Sequence, residues 1–570
     1  MKTVVNMTKE NVASSLVRPE GRTRQRIFAV KKIFLPGSGP PAGIVAASLL
    51  VAALSAIPFL YILLRASQAS PEIWIRLWRS RIPDLLVNTL GLAVAVTAVT
   101  VIMSVLLSYL IIRTDLPGKN VMHWLMAVPL AIPAYIGAFA YITFFGYNGA
   151  AQHLLEAVSG LPPGAVKLPS IYSFGGTVLV LSVFTFPYVY LLAAAALKSG
   201  GGDLEEASLS CGLSRWQTFF RVTLPLMRPS LAAGGILVFL YVLSDFGTVA
   251  MLRFPTFTSA IYLQLTGRYD RGTAAVLSAV LLFIALAVIF IEWRWRSGTR
   301  YHQGEGGNRR PAPVSLGAWR YPAIFFVMAV VLLSVLAPLG LLGFWSAAGI
   351  SGGSLGSDFF LYARNSLITA ASAASACMAL ALPLVFLSVR YNSRLGKYLV
   401  NIIFAGYALP GVMLALGTVL LVSSGFPYLY GTAALLVIAY IARFLPQSLQ
   451  AEESALARVN PSLEESARLA GYSAWSAFLR VTLPLIRPGL ISGWTLVFIS
   501  SIKELPATLL LRPAGFDTLS VRIWIEASEG FFEQGAPAAL LLVMVSALPL
   551  KFLFSRDLSK GGFRRGSNTV

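Results

Sequence analysis

Three charged side chains, Asp245, Lys503 and Glu504, stand inside long apolar runs of the sequence. An unpaired charge at the middle of a bilayer costs about 2.5–3.5 kcal/mol on insertion scales, so such residues are expected to face protein or water. Carboxylates are hard oxygen donors, and two of them along one route would suit a hard cation. A Lys503–carboxylate pair that only fastens helices together is the structural alternative. No resident metal is expected, because His123, His153 and His302 do not cluster and Cys211 and Cys377 lack ligand spacing. LPGKN at 116–120 lacks the upstream Gly and the Ser/Thr of a phosphate-binding loop, so the chain is not expected to hydrolyse a nucleotide itself. Catalytic residues and a bound cofactor are therefore not expected.

A second group of residues occurs twice. Residues 203–231 and 462–490 agree at sixteen of twenty-nine positions, both containing RVTLPL. Each copy reads as a short surface helix, a tight turn and a second short helix leading into an apolar span. Asp203 with Glu206, and Ser462 with Glu465, have capping-box spacing. Gly212 and Gly471 follow six residues after the Glu, where a chain reversal needs tolerance of positive φ. Leu224-Pro225 and Leu483-Pro484 fit a bend before the next span, with Arg228 and Arg487 as headgroup anchors. One copy alone reads as an interfacial connector. Two copies alike in cap, Gly, Trp, Arg and Leu-Pro positions point to a common partner surface.

A membrane must position these residues. The chain has 570 residues, 56% hydrophobic and 12% charged, against about 25% charged in soluble domains. Apolar runs long enough to span occur near 42–65, 86–112, 121–146, 174–197, 231–252, 274–293, 321–345, 364–389, 397–422, 429–449, 490–511 and 535–555. The polar linker WRWRSGTRYHQGEGGNRRPAP separates six from six. The formal charge of +21 comes mainly from Lys and Arg in short segments between runs. It reports loop orientation rather than nucleic-acid binding, and puts both termini, the linker and both repeated segments in the cytoplasm. WIRLWRSRIP at 74–83 breaks that rule, and its Trp spacing predicts a helix lying at the outer interface. The basic leader has no cleavage site and reads as a tail.

The expected units are a tail at 1–41, a first repeat at 42–293, a linker at 294–320, a second repeat at 321–555 and a tail at 556–570. Six spans per repeat keep the halves parallel, related by an axis along the membrane normal. VNTLGL with RNSLIT, Arg113 with Arg390, and Pro133 with Pro410 match at an offset of 277, whereas the later segments match at 259. The difference predicts an insertion in the outer loop at 150–170.

The copies E-A-S-x-x-x-G-x9-V-x-L-P (206–225) and E-S-A-x-x-x-G-x9-V-x-L-P (465–484) resemble the EAA loop of ATP-binding-cassette importer permeases. Neither has the plain EAA triplet, and both carry Val where Ile is usual. The resemblance implies an all-α integral membrane protein of about twelve transmembrane helices, a type I importer permease of MetI-like fold with both halves fused. It implies that coupling loops 203–229 and 462–488 dock two copies of a cytoplasmic ATPase, which uses the ATP. The matching positions are Glu206, Ala207, Gly212, Leu224 and Pro225, with Glu465, Ala467, Gly471, Leu483 and Pro484.

VLSDFGTVAMLRFPTFTSAIYLQLTGR (242–268) and IKELPATLLLRPAGFDTLSVRIW (502–524) further resemble segments of bacterial iron(III) permeases, and align Asp245 with Glu504. That resemblance implies ferric cargo delivered by an external or periplasmic binding protein across a bacterial inner membrane. The equivalence of Asp245 and Glu504 in the two halves is what puts Asp245, Lys503 and Glu504 along an expected substrate pathway. Thiamine, polyamine, sulfate and phosphonate permeases share the architecture. An ion-coupled secondary carrier or a membrane scaffold would not need two matched docking loops.

Overall fold

The computed structural model describes residues 39–146, 149–162, 164–199, 202–298, 313–353, 356, 358–407 and 409–562. The N-terminal tail to residue 38, the linker at 299–312 with His302, and the last eight residues lie outside the described residues. The described chain is helical, with one isolated bridge between Thr114 and Val314.

Nine described helices are long and apolar enough to cross a membrane: Ala42–Ser67, Ile82–Arg113, Phe174–Lys198, Arg215–Ser244, Arg271–Glu292, Gly317–Ser351, Phe359–Arg390, Ala433–Ala457 and Ala474–Ile502. The other three apolar runs are broken or short. The run at 121–146 divides into Lys119–Leu125, a 3-10 turn at Val128–Ala131, and Ala134–Phe145. The run at 397–422 divides into Arg394–Tyr407 and Gly411–Gly425. Pro133 and Pro410 stand immediately before the second pieces, where a proline removes an N–H and pushes the preceding residue out of helical geometry. The last run is Phe532–Gly562, whose described apolar part ends at Leu548. The sequence thus marks twelve helical paths but not twelve straight spans.

The repeats exchange their first helices. Ala42–Ser67 packs on Arg394–Tyr407 and Gly411–Gly425 of the second repeat, and Ala337–Ser351 packs on Ala134–Phe145 of the first. Arg65 reaches the Ser424 hydroxyl at 2.8 Å, and the Tyr141 hydroxyl donates to the Leu333 carbonyl. One buried cluster contains Phe139, Phe246 and Ile261 from one repeat with Leu414, Leu505 and Ile523 from the other. Between helices in lipid the hydrophobic drive is weak, and small residues let backbones approach. Ala370, Ala373, Ala374, Cys377 and Ala381 make such a stripe along Phe359–Val385.

Two of the connecting segments carry short helices. The insertion at 150–170 contains the helix Ala150–Ser159, where buried Glu156 accepts bonds from Gln152 at 3.0 Å and from the Gly164 N–H at 2.8 Å. The segment around 74–83 contains the amphipathic helix Pro71–Ser80. Its Leu77 is buried, Trp74 donates to the Ala66 carbonyl at 3.1 Å, and Ile75 and Trp78 are exposed. Arg113 and Arg390 each contact their own repeated segment, and four span-length helices lie between the first segment and Arg390, so all four share one face of the bundle, the loop face.

Candidate functional site

Both repeated segments fold as helix, turn and helix: Gly202–Ser210 then Arg215–Thr218, and Pro461–Leu469 then Ala474–Ala477. Gly212 and Gly471 have φ of +85° and +89°. The N–H of Leu213 bonds the Ser208 carbonyl at 3.1 Å and that of Tyr472 the Ala467 carbonyl at 3.2 Å, which closes a Schellman turn in each copy. The helix starts differ from the sequence expectation. Asn460, not Ser462, caps Pro461–Leu469, because Pro461 occupies the first helical position and moves the cap two residues back. The capping box instead opens the second short helix of the first copy, between Ser214 and Gln217, and Ser473 caps the equivalent helix.

The Leu-Pro steps also differ from the expected bend. Phe219–Thr223 and Phe478–Thr482 are π turns, with the Leu224 N–H bonded to the Phe219 carbonyl and the Leu483 N–H to the Phe478 carbonyl. The helix runs on through Pro225 and Pro484 as one span. One carbonyl is skipped where the bonding register changes, and the proline, which has no N–H, stands at that step.

Each loop is fastened by an Arg–Glu–Thr triplet that sequence reasoning missed. Arg113 lies 3.2 Å from Glu205, and the Thr223 hydroxyl donates to the same carboxylate at 2.9 Å. Arg390 lies 2.9 Å from Glu464, Thr482 donates to Glu464 at 2.8 Å, and Arg390 also donates to the Val459 carbonyl at 3.1 Å. The Glu residues picked from the pattern are the neighbours: Glu206 is exposed and Glu465 half-buried. The identical Glu-Glu doublets and the repeated Thr were the available signal. Ala207 is exposed and Ala467 buried, since Ala467 corresponds to Ser208, which bonds Thr218 at 2.8 Å. Leu224, Pro225 and Leu483 are half-buried and Pro484 is exposed. Leu204, Trp216 and Phe220 on one loop, and Leu463, Trp475 and Leu479 on the other, are exposed. Trp216 and Phe220 stack with ring centres 6.1 Å apart, so part of this exposed apolar surface is continuous.

At the centre, Asp245 and Glu504 sit at matched helix breaks. Asp245 follows Leu224–Ser244 and accepts the Thr248 N–H at 3.1 Å; Glu504 follows Leu483–Ile502 and accepts the Ala507 N–H at 3.3 Å. Their backbones are held alike. The Thr258 hydroxyl donates to the Asp245 carbonyl at 2.6 Å and the Ser520 hydroxyl to the Glu504 carbonyl at 3.0 Å. The Phe257 N–H donates to Thr89 and the Leu519 N–H to Ser366.

Lys503 does not pair with a carboxylate among the described residues. Its ammonium donates to the Leu130 carbonyl at 2.8 Å, tying the second repeat to the break in the first. Pro133 has no N–H to offer that carbonyl, which leaves it open to the lysine. Glu504 pairs instead with Arg443 at 3.2 Å. Nothing in the sequence pattern marks Arg443, because the equivalent position of the first repeat is Phe184. Gly411 makes room for the pair: a Cβ there would lie 2.3 Å from Arg443 and 2.6 Å from Glu504. The rings of Phe246 and Tyr262 from the first repeat meet Trp524 from the second, with Phe246 centred 5.2 Å from the indole.

Toward the face opposite the loops, Arg512 pairs with Asp517 and Arg522 with Glu526. Burial pushes the Glu526 carboxyl up, and the Arg522 guanidinium opposes that shift. Among the described residues no three His, Cys, Asp or Glu side chains converge as a metal site would require.

The family described as "Binding-protein-dependent transport system inner membrane component" matches residues 116–293 and again 384–558. The Fe(3+)-transport system permease protein FbpB 2 of Haemophilus influenzae is 31% identical over 519 residues, 90% of this chain and 98% of that protein. The ferric transport system permease protein FbpB of Actinobacillus pleuropneumoniae is 24% identical over 447 residues, 75% of this chain and 64% of that protein. The sulfate transport system permease protein CysW of Escherichia coli is 25% identical over 269 residues, 44% of this chain and 86% of its own length, so it corresponds to about one half. The doubled match agrees with the two loops, the two helix breaks and the nine apolar helices. The chain belongs to the binding-protein-dependent transport system inner membrane components, as a multi-pass permease with both repeats in one polypeptide.

Proposed function

We propose that the chain imports ferric iron received from an external binding protein, driven by two copies of an ATPase docked on its two loops. The pair of exposed apolar loop surfaces, each locked to the membrane helices by a buried Arg–Glu–Thr triplet, carries this reading. Such a loop transmits a push without folding back on itself. Glu206, Gly212, Glu465 and Gly471 are the docking and turning positions, the loop face is cytoplasmic, and ATP is spent by the partner. Closing the ATPase dimer draws the loops together and opens the opposite face, a population shift that the loaded binding protein also favours. The iron reading draws on the names of the relatives that align along most of the chain.

One observation favours a second cargo class. Arg443 and Lys503 place two cations beside the two central acids, which would suit an oxyanion or an anionic iron chelate, and sulfate permeases are among the relatives. The test is uptake by proteoliposomes holding the permease, its ATPase and its binding protein. Radiolabelled ferric iron is expected to accumulate with ATP and to be unaffected by excess sulfate. Sulfate accumulation without iron accumulation would reverse the assignment.

A further inference from the structure

We propose that Tyr188 and Tyr241 hold the cargo in transit on the loop side of Asp245, with Tyr407, Gln447 and Ser500 of the second repeat completing the ring. This rests on the permease reading above and adds the ligand chemistry of its pathway. Between Val180 and Tyr190, Tyr188 alone is exposed, by 36%, while Phe184 and Thr185 one turn earlier are buried. The accessible face continues toward the loop through Leu191 and Leu192, and Tyr241 of the first repeat and Tyr407 of the second flank the phenol, which places it where the two repeats meet. The equivalent residue of the second repeat, Gln447, is likewise the one accessible position between Phe444 and Leu449.

Tyr241 and Ser500 are also equivalent, each one helical turn before the central acid of its repeat. The contacts repeat across the halves. The Tyr188 and Tyr241 rings are centred 5.8 Å apart, and Ser500 donates to Gln447 at 3.0 Å. Gln447 donates in turn to the Tyr407 hydroxyl at 2.8 Å, and Tyr407 lies beside Tyr188, which closes the ring between the repeats. Three phenols, an amide and a hydroxyl therefore converge from both halves. The Tyr135 hydroxyl, beside Tyr241 and Glu504, and Nη1 of Arg443 are buried without a hydrogen-bond partner among the described residues.

Two acids, Asp245 and Glu504, and two bases, Lys503 and Arg443, stand near the central helix breaks, with Asp245 beside Tyr241 and Glu504 paired with Arg443. A cation is neither trapped nor expelled by fixed charge, and selection falls to neutral hard oxygen donors. When a ferric ion enters, a phenol O–H gives its proton to water in the space. The phenolate oxygen forms a bond to the ion, and one of the ion's own water ligands leaves. On exit water replaces the phenolate, which takes a proton back; no electron moves. Neutral phenols at rest keep the hold weak enough for release.

The experiment combines the Tyr188→Phe/Tyr241→Phe double variant with wild type and, as a surface control, Tyr398→Phe. In proteoliposomes with ATPase and binding protein, the double variant should lose about ten-fold or more of iron uptake, the scale of one strong interaction. ATP hydrolysis stimulated by the binding protein should stay at the wild-type rate. Purified wild-type permease–ATPase complex mixed with ferric nitrilotriacetate should develop a visible phenolate-to-iron charge-transfer band that the double variant lacks. Undiminished uptake by the double variant, or no band in wild type, overturns the phenol site. Absence of iron uptake by wild type overturns the iron reading itself and is seen separately.

Discussion

Adjacent glutamates in each loop face different tasks. Glu205 and Glu464 are turned toward Arg113 and Arg390, whereas Glu206 is left outside. Removing one partner of a buried ion pair costs roughly 3–5 kcal/mol, because the other charge stays buried alone. Glu205→Ala or Glu464→Ala should therefore lower the thermal unfolding temperature of the purified permease. Glu206→Ala should leave unfolding unchanged and weaken co-purification of the ATPase. At the centre, Gly411→Val should displace the Arg443–Glu504 pair, at a cost of about 1–3 kcal/mol for overpacking, read in the same melting assay. The sequence pattern made the loop legible but not which glutamate turns inward. That choice depends on helix phase against Arg113, about ninety positions away in the chain. Arg443 left no trace in the pattern, since only one repeat has it.

At the scale of elements, each loop depends on a left-handed glycine and a π turn. A side chain forced to the φ of Gly212 or Gly471 costs about 1–2 kcal/mol and distorts the Schellman turn. Gly212→Val and Gly471→Val should leave the permease folded but separate ATP hydrolysis from uptake, measured as moles transported per mole of ATP. The helices themselves were legible because spans need long apolar runs. Their breaks were not: hydropathy stays high through Pro133, Asp245, Pro410 and Lys503, where the backbone stops being helical. The matched carbonyl contacts of Asp245 and Glu504 could not be read either, since Thr258 and Ser520 reach them from separate helices.

For the whole molecule, the exchange of first helices makes the halves interdependent although the duplication divides them cleanly in sequence. Ala42–Ser67 buries its face on the second repeat, and Lys503 ties the second repeat to Leu130 in the first. A chain ending at residue 305 should not form a monodisperse particle in detergent. The same piece co-expressed with residues 306–570 should assemble and transport, because contacts such as Lys503 to the Leu130 carbonyl and Arg65 to Ser424 join the halves without a covalent link. Size-exclusion profiles of the separate and co-expressed halves check this.

The central claim is that one chain gives two working handles to an ATPase pair and carries ferric iron between them. ATP-driven iron accumulation in proteoliposomes, compared between wild type and each single loop variant, Gly212→Val and Gly471→Val, tests it most directly. Wild type should accumulate iron, and either variant alone should lose about ten-fold or more, the consequence of ~1.4 kcal/mol at a required step. Accumulation at the wild-type rate with one loop disabled would contradict the account.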